Sequence, residues 1–174
     1  MAWVVVSGYM GAGKSTVGRA LAGRLEREFI DADTRIEHAA GIDIPKIFAT
    51  KGELWFRRTE ERTIREIVQS EPGGVLSIGG GALESPRTRE LVHRVACVAW
   101  LRADPERLWD RVTGSSRPLA TDRDRFLRRY ARREAAYAEA AHITVDADRP
   151  VEAVLDELDA AVRARLGLRL RAGS

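Results

Sequence analysis

The stretch "SGYMGAGKST" (7–16) contains Gly8, Gly13, Lys14 and Ser15 in a full match to G-x-x-x-x-G-K-[ST], with a further glycine at Gly11. Glycines let a backbone turn tightly and aim its N–H groups at phosphate oxygens, and a helix that starts directly after adds the positive end of its dipole. Gly11, Ala12, Gly13, Lys14, Ser15 and Thr16 therefore form a candidate triphosphate cradle. Lys14 is placed to reach the β- and γ-phosphates, and the Ser15 hydroxyl is a ligand type that suits Mg²⁺. Such a loop serves switches, motors and small-molecule kinases alike. No N-K-x-D element for guanine is present, and 174 residues is short for a motor ATPase, so a small-molecule kinase is expected.

An acceptor needs its own residues. Asp31 and Asp33 in "IDAD" are read as ending a strand, where alternate side chains share one side and two carboxylates can hold Mg²⁺ waters and take a hydroxyl proton. Helix capping is the other use of such an acid. Arg57 has Glu53 four residues before it, Glu60 three after and Glu61 four after. That spacing makes either a solvated salt-bridge stripe or a carboxylate clamp. Gly79, Gly80 and Gly81 follow a buried strand, where glycines mark a close backbone approach or a flexible turn. The polar stretch "TGSSRPLATDRD" (113–124) reads as a moving lid, with Arg111, Arg117 and Arg123 as equal candidates for an arginine that covers phosphates. Arg133 lies four before Tyr137 on one helical face, with Arg132 beside it.

Elements that would carry these residues alternate along the chain. Strands are expected at 3–8, 28–33, 74–82, 96–101 and 142–147. Helices are expected at 14–27, 33–40, 52–69, 86–93, 104–112, 124–140 and 150–166. Strand–helix alternation implies parallel β-α-β units and a sheet covered on both faces. The expected fold is one α/β domain over 1–174, three-layered, with roughly five parallel strands and a mobile lid at about 112–124.

Bulk properties limit the partners. Net charge is +3, and the lysines are only Lys14, Lys46 and Lys51, so the basic character is almost all arginine. No arginine run is interleaved with stacking aromatics, which argues against nucleic acid. No apolar run approaches the ~18–20 residues of a membrane span, and no signal peptide is expected at the N-terminus. Cys97 is the single cysteine, which excludes an internal disulfide and suits a reducing cytoplasm.

The ordered set "GYMGAGKSTVG", "IDAD", "GELWFRRTEE", "LSIGGGA", "RPL" and an arginine four before a tyrosine resembles the shikimate kinases, a P-loop family akin to the nucleoside monophosphate kinases. The resemblance covers about residues 4–155. It implies transfer of the ATP γ-phosphoryl group to the 3-hydroxyl of shikimate, with Mg²⁺ as cofactor and a monomer in the cytoplasm. It also implies residue roles. Asp33, Arg57, Gly80 and Arg133 bind shikimate, with Glu60 orienting Arg57 and Phe48 and Phe56 walling the region at about 31–61. Asp31 lies near the reacting hydroxyl and the metal waters, with Ser77 close to them. Lys14 and Arg117 stabilise the moving phosphoryl group. Arg149, with Arg111 as the alternative, stacks on the adenine. Ala135 departs from the family pattern, where proline is frequent. A kinase for another polyol acid such as gluconate is the alternative. It would need a carboxylate site but not this D-x-D, F-R and G-G-G set.

Overall fold

The computed structural model describes residues 3–113 and 122–168. Strand β1 (Trp3–Ser7) is buried along its whole length, without the alternation of a half-exposed strand. Such a run belongs in the middle of a parallel sheet. There it lies, flanked by β3 (Val75–Ser77) and β4 (Ala96–Arg102), with β2 (Phe29–Asp31) and β5 (Ile143–Asp146) outermost. The order is β2-β3-β1-β4-β5 and every pairing is parallel. In register, Val6 pairs with Ser77, and Ser77 with Asp31. The ends of β1, β2 and β3 are thus level, and in parallel sheets these carboxyl ends are where ligands bind.

Helices cover both faces. On one, α1 (Lys14–Leu25) packs with α7 (Val151–Leu166). On the other lie α4 (Pro86–Val95) and α6 (Arg123–Ala140), with α5 (Pro105–Val112) against α6. Their starts follow local chemistry. Asp104 accepts from the N–H groups of Glu106 and Arg107, with Pro105 at the first helical position. Asp122 accepts from Arg125 N–H at 2.7 Å, and Ser85 from Thr88 N–H at 3.3 Å. Each cap contributes about 1 kcal/mol. The three-layered, five-stranded α/β fold agrees with the pattern in the sequence.

Two local expectations are corrected. The strand carrying the D-x-D acids stops at Asp31, so Asp33 lies in the first turn of α2 (Ala32–Ala40). Asp31 Oδ1 accepts from the N–H groups of Asp33 and Thr34, at 3.0 and 3.3 Å, and this cap starts the helix early. The two carboxylates are therefore not strand neighbours. The helix expected at 52–69 is present after Gly52, but an unexpected helical segment, capped by Asp43 and with Pro45 in its first turn, runs into it from Ile44, the two together forming α3 (Ile44–Ser70). Gly52 interrupts α3 with a non-helical backbone. Ile36 of α2 and Ile47 and Phe56 of α3 form a small core of their own, backed by Phe48 and Trp55, which fixes these helices beside the sheet.

At the start of β5, His142 N–H donates to Val98 O at 2.8 Å and His142 Nδ1 accepts from Val98 N–H at 3.1 Å. The ring stacks on His93, with centroids 4.2 Å apart. Burial pushes the His142 pKa down, and the charges of Arg165 and His93 add to this. The folded state then binds fewer protons than the unfolded chain, so stability is full above the ordinary histidine value of 6.5 and is lost as pH falls through it. Thermal unfolding followed by circular dichroism should show a loss of melting temperature from pH 7.5 to 5.5. His142→Asn, which retains an acceptor near Val98, should show a smaller loss.

Candidate active site

The donor side is built by the turn between β1 and α1. Gly13 has φ +84°, in the left-handed region, and no side chain caps α1. The helix start is thus left to an incoming anion. Ser15 and Thr16 are exposed there, while Ala12 is buried. Lys14 Nζ donates to Tyr9 O at 3.0 Å, which folds the ammonium back over the loop. Ser15 Oγ donates to Asp31 Oδ2 at 2.6 Å, joining the start of α1 to the end of β2. Both are hard oxygen donors at the same mouth, a set that fits Mg²⁺.

Of the two arginines expected on the adenine side, Arg111 touches the loop. Its Nη1 lies 3.5 Å from Gly11 O, and its Nη2 donates to Asp148 Oδ1 at 2.9 Å. Arg149 instead turns to Glu157 on α7 and to Asp146 O. Arg117 and most of the expected lid lie outside the described residues.

Beyond the loop is a cavity of about 380 Å³. Ser15, Asp31, Asp33, Arg57, Gly80 and Arg133 all line it, with Phe48, Phe56 and Glu60 among the remaining walls. Residues from five separate segments are thus brought to one space. Of the competing neighbours, Arg132 is exposed and Arg58 borders an adjoining groove rather than this cavity. Ser77 is buried, paired in register with Asp31, and lies behind the lining.

Charge is arranged in pairs. Arg57 Nη1 donates to Glu60 Oε2 at 2.7 Å and Nη2 to Glu53 Oε1 at 3.2 Å, with the guanidinium 5.1 Å from the Phe56 ring. Arg133, only 2% exposed, donates through Nη2 to Glu84 Oε2 at 2.6 Å. The glycine triplet makes room for these groups. A Cβ on Gly79 would run into Glu60 Oε1 and lie 3.0 Å from Asp33 Oδ1. One on Gly81 would lie 2.6 Å from the Arg57 guanidinium. Gly80 packs on the P-loop backbone, and its carbonyl accepts from the Tyr137 hydroxyl.

The Arg57–Glu60 pair is not symmetric. Burial pushes the Glu60 carboxyl up to about 7, opposed by Arg57 and assisted by the Asp33 charge. Burial works against the charge on Arg57, but Glu60 and Glu53 hold its pKa above the ordinary value. Sequence reasoning passed over Tyr9 and Glu84. Tyr9 occupies a position of the loop motif open to any residue. Glu84 meets Arg133 across 49 residues of chain, with no local signal.

A parallel sheet with a phosphate loop after its central strand and an acidic, arginine-lined cavity beside that loop defines a P-loop kinase. A family model described as "Shikimate kinase" matches residues 10–163. A shikimate kinase of Burkholderia pseudomallei is 43% identical over 151 residues, covering 84% of this chain and 82% of that protein. The structure of a shikimate kinase from Acinetobacter baumannii, solved in complex with shikimate, superposes with a TM-score of 0.87 at 32% identity, over 98% of this chain and 96% of that one. A gluconokinase from Sinorhizobium meliloti superposes at 0.58 with 20% identity, over 95% of this chain and 93% of that one, and so shares the fold alone. The chain belongs to the shikimate kinase family.

The raised Glu60 pKa has a measurable consequence. Between the ordinary carboxyl value of 4.5 and about 7, the folded state binds more protons than the unfolded chain. Stability from this group is full below that window and is lost as pH rises through it. Chemical denaturation at pH 5 and pH 7.5 should show Glu60→Gln losing less stability over this interval than the wild type.

Proposed function

We propose that the protein transfers the γ-phosphoryl group of ATP to the 3-hydroxyl of shikimate, giving ADP and shikimate 3-phosphate. The observation that carries this reading is the convergence of Arg57, Arg133, Asp33 and Gly80 on one cavity next to the phosphate loop. An acceptor with one carboxylate and several hydroxyls matches that lining. The two guanidiniums suit the carboxylate, since planar forks bind it with directed hydrogen bonds where lysine offers a point charge. Asp33 and the Gly80 backbone suit the hydroxyls.

In this reading the phosphates of ATP rest on the backbone of 11–16, with Lys14 leaving Tyr9 O for the β- and γ-oxygens. Ser15 would hold Mg²⁺ directly and Asp31 through water, and the ion would supply charge neutralisation on the phosphate oxygens. Asp31 accepts the hydrogen bond of the 3-hydroxyl, and so either positions it or takes its proton as the phosphoryl group arrives. Arg117 comes over the phosphates as the lid closes, and Arg111 or Arg149 lies along the adenine. Lid closure keeps water away from the γ-phosphate, and most of the catalysis is positioning and electrostatics. The protein acts as a single-domain monomer in the cytoplasm, with ATP and shikimate as its partners. Gluconate is the alternative acceptor, and the gluconokinase likeness supports it only at the level of fold.

ADP release should depend on shikimate in the presence of ATP and Mg²⁺, and gluconate should not replace it. Absence of shikimate-dependent ADP would overturn the assignment. Lys14→Ala should lower kcat about 100-fold or more, as loss of a group that stabilises transition-state charge does. Arg133→Ala should raise KM for shikimate about tenfold or more while KM for ATP stays within about twofold. Equal effects on both would place Arg133 outside the acceptor site.

A further inference from the structure

Arg133 comes into the cavity from α6 on a long side chain, and such a side chain must be held if it is to act as a clamp. Two groups hold it. The Tyr9 ring lies 5.5 Å from its guanidinium carbon, and the Glu84 carboxylate accepts from Nη2 at 2.6 Å. Glu84 belongs to the 3₁₀ turn Ala82–Glu84, directly after the glycine triplet. Burial works against its charge, but the hydrogen bond and charge of Arg133, together with Arg57 and Arg132, keep its carboxyl below the usual range.

The placement of Glu84 matters more than its strength. Arg133 lines the acceptor cavity, whereas Glu84 borders the adjoining groove with Arg132, Thr88 and Glu53. Glu84 therefore grips the guanidinium from outside the space that a ligand enters. Arg133 Nε is buried and has no hydrogen-bond partner among the described residues. A donor already desolvated and left unsatisfied gains most when a ligand oxygen arrives. Arg57 is arranged in parallel, since Glu60 and Glu53 take its Nη atoms and the Gly81 backbone leaves room for its fork.

We propose that Glu84 is a positioning residue for substrate binding: it holds Arg133 in its bound orientation before the acceptor enters, and so sets the affinity for the acceptor's carboxylate. Restricting a rotamer-rich side chain beforehand removes an ordering cost from binding. The opposite sign is also chemically possible, because a protein carboxylate that had to leave Arg133 would compete with the substrate's. The separation of Glu84 from the cavity favours support over competition.

This inference rests on the shikimate assignment, and the test separates the two. Steady-state kinetics of wild type, Glu84→Ala and Glu84→Gln are measured with shikimate and with its neutral methyl ester, varying ATP independently. Circular dichroism melting follows the fold. Glu84→Ala should raise KM for shikimate about tenfold, with kcat and KM for ATP within about twofold. Glu84→Gln keeps the shape and one acceptor oxygen and should raise it about threefold, so it also carries the test if the alanine variant melts early. With the methyl ester, whose carboxylate is gone, both variants should change KM less than about twofold. An unchanged or lowered KM for shikimate in both variants, or an equal rise for acid and ester, overturns the positioning role. A wild type that turns over neither compound overturns the assignment itself and this inference with it.

Discussion

The acceptor cavity depends on space left empty by three consecutive residues. Between β3 and the 3₁₀ turn, the chain passes so close to Glu60, Asp33 and the Arg57 guanidinium that side chains on Gly79 or Gly81 would collide with them. Gly80, between these two, rests against the backbone of Gly8, Tyr9 and Met10 in the phosphate loop. The same three residues thus set the acceptor wall and the distance from that wall to the donor. Glycine in such a stretch costs conformational entropy, which is acceptable where backbone must approach charged groups closely.

Around this narrow passage the charges are paired. Arg57 is held by Glu60 and Glu53, and Glu84 takes Arg133 at 2.6 Å and Arg132 at 3.5 Å. Glu60 is buried, so removing Arg57 would leave its charge in a poor solvent, whereas Glu84 keeps contact with water. Both guanidiniums that line the cavity are held by carboxylates and are partly or wholly buried. Glu60 carries the strain of the arrangement, being buried beside the Asp33 charge with Oε1 lacking a hydrogen-bond partner among the described residues.

Donor and acceptor sides are tied together at two points. Asp31 caps α2 with one oxygen and takes the Ser15 hydroxyl with the other, so the metal-side hydroxyl and the helix that carries Asp33 share one carboxylate. Tyr9 sits inside the phosphate loop, accepts the Lys14 ammonium on its carbonyl, donates its hydroxyl to Phe126 O and places its ring beside Arg133. Tyr9 therefore links the phosphate loop directly to α6. None of the helices in the described residues is long and apolar enough to cross a membrane.

Much was legible in the sequence because it is written locally. Apolar runs without alternation announce buried strands, and the spacing of Gly8, Gly13, Lys14 and Ser15 implies a phosphate cradle. The candidate acceptor residues line one cavity, and Asp33, expected on a strand, lies on a helix because of the capping geometry of Asp31. Other facts arise only between distant segments. Arg133 and Arg132 both reach Glu84, so it is the burial of Arg133 against the exposure of Arg132 that tells them apart in the folded chain. Nothing near Arg149 says that it turns to α7 while Arg111 takes the loop. By itself, then, the sequence determined the elements, their order and the chemistry available, since those follow from short-range sterics, periodicity and motif spacing. Tertiary structure alone decided which charges meet, how deeply they are buried and which guanidinium edges are left for a ligand, because burial and pairing depend on groups that only the folded chain brings together.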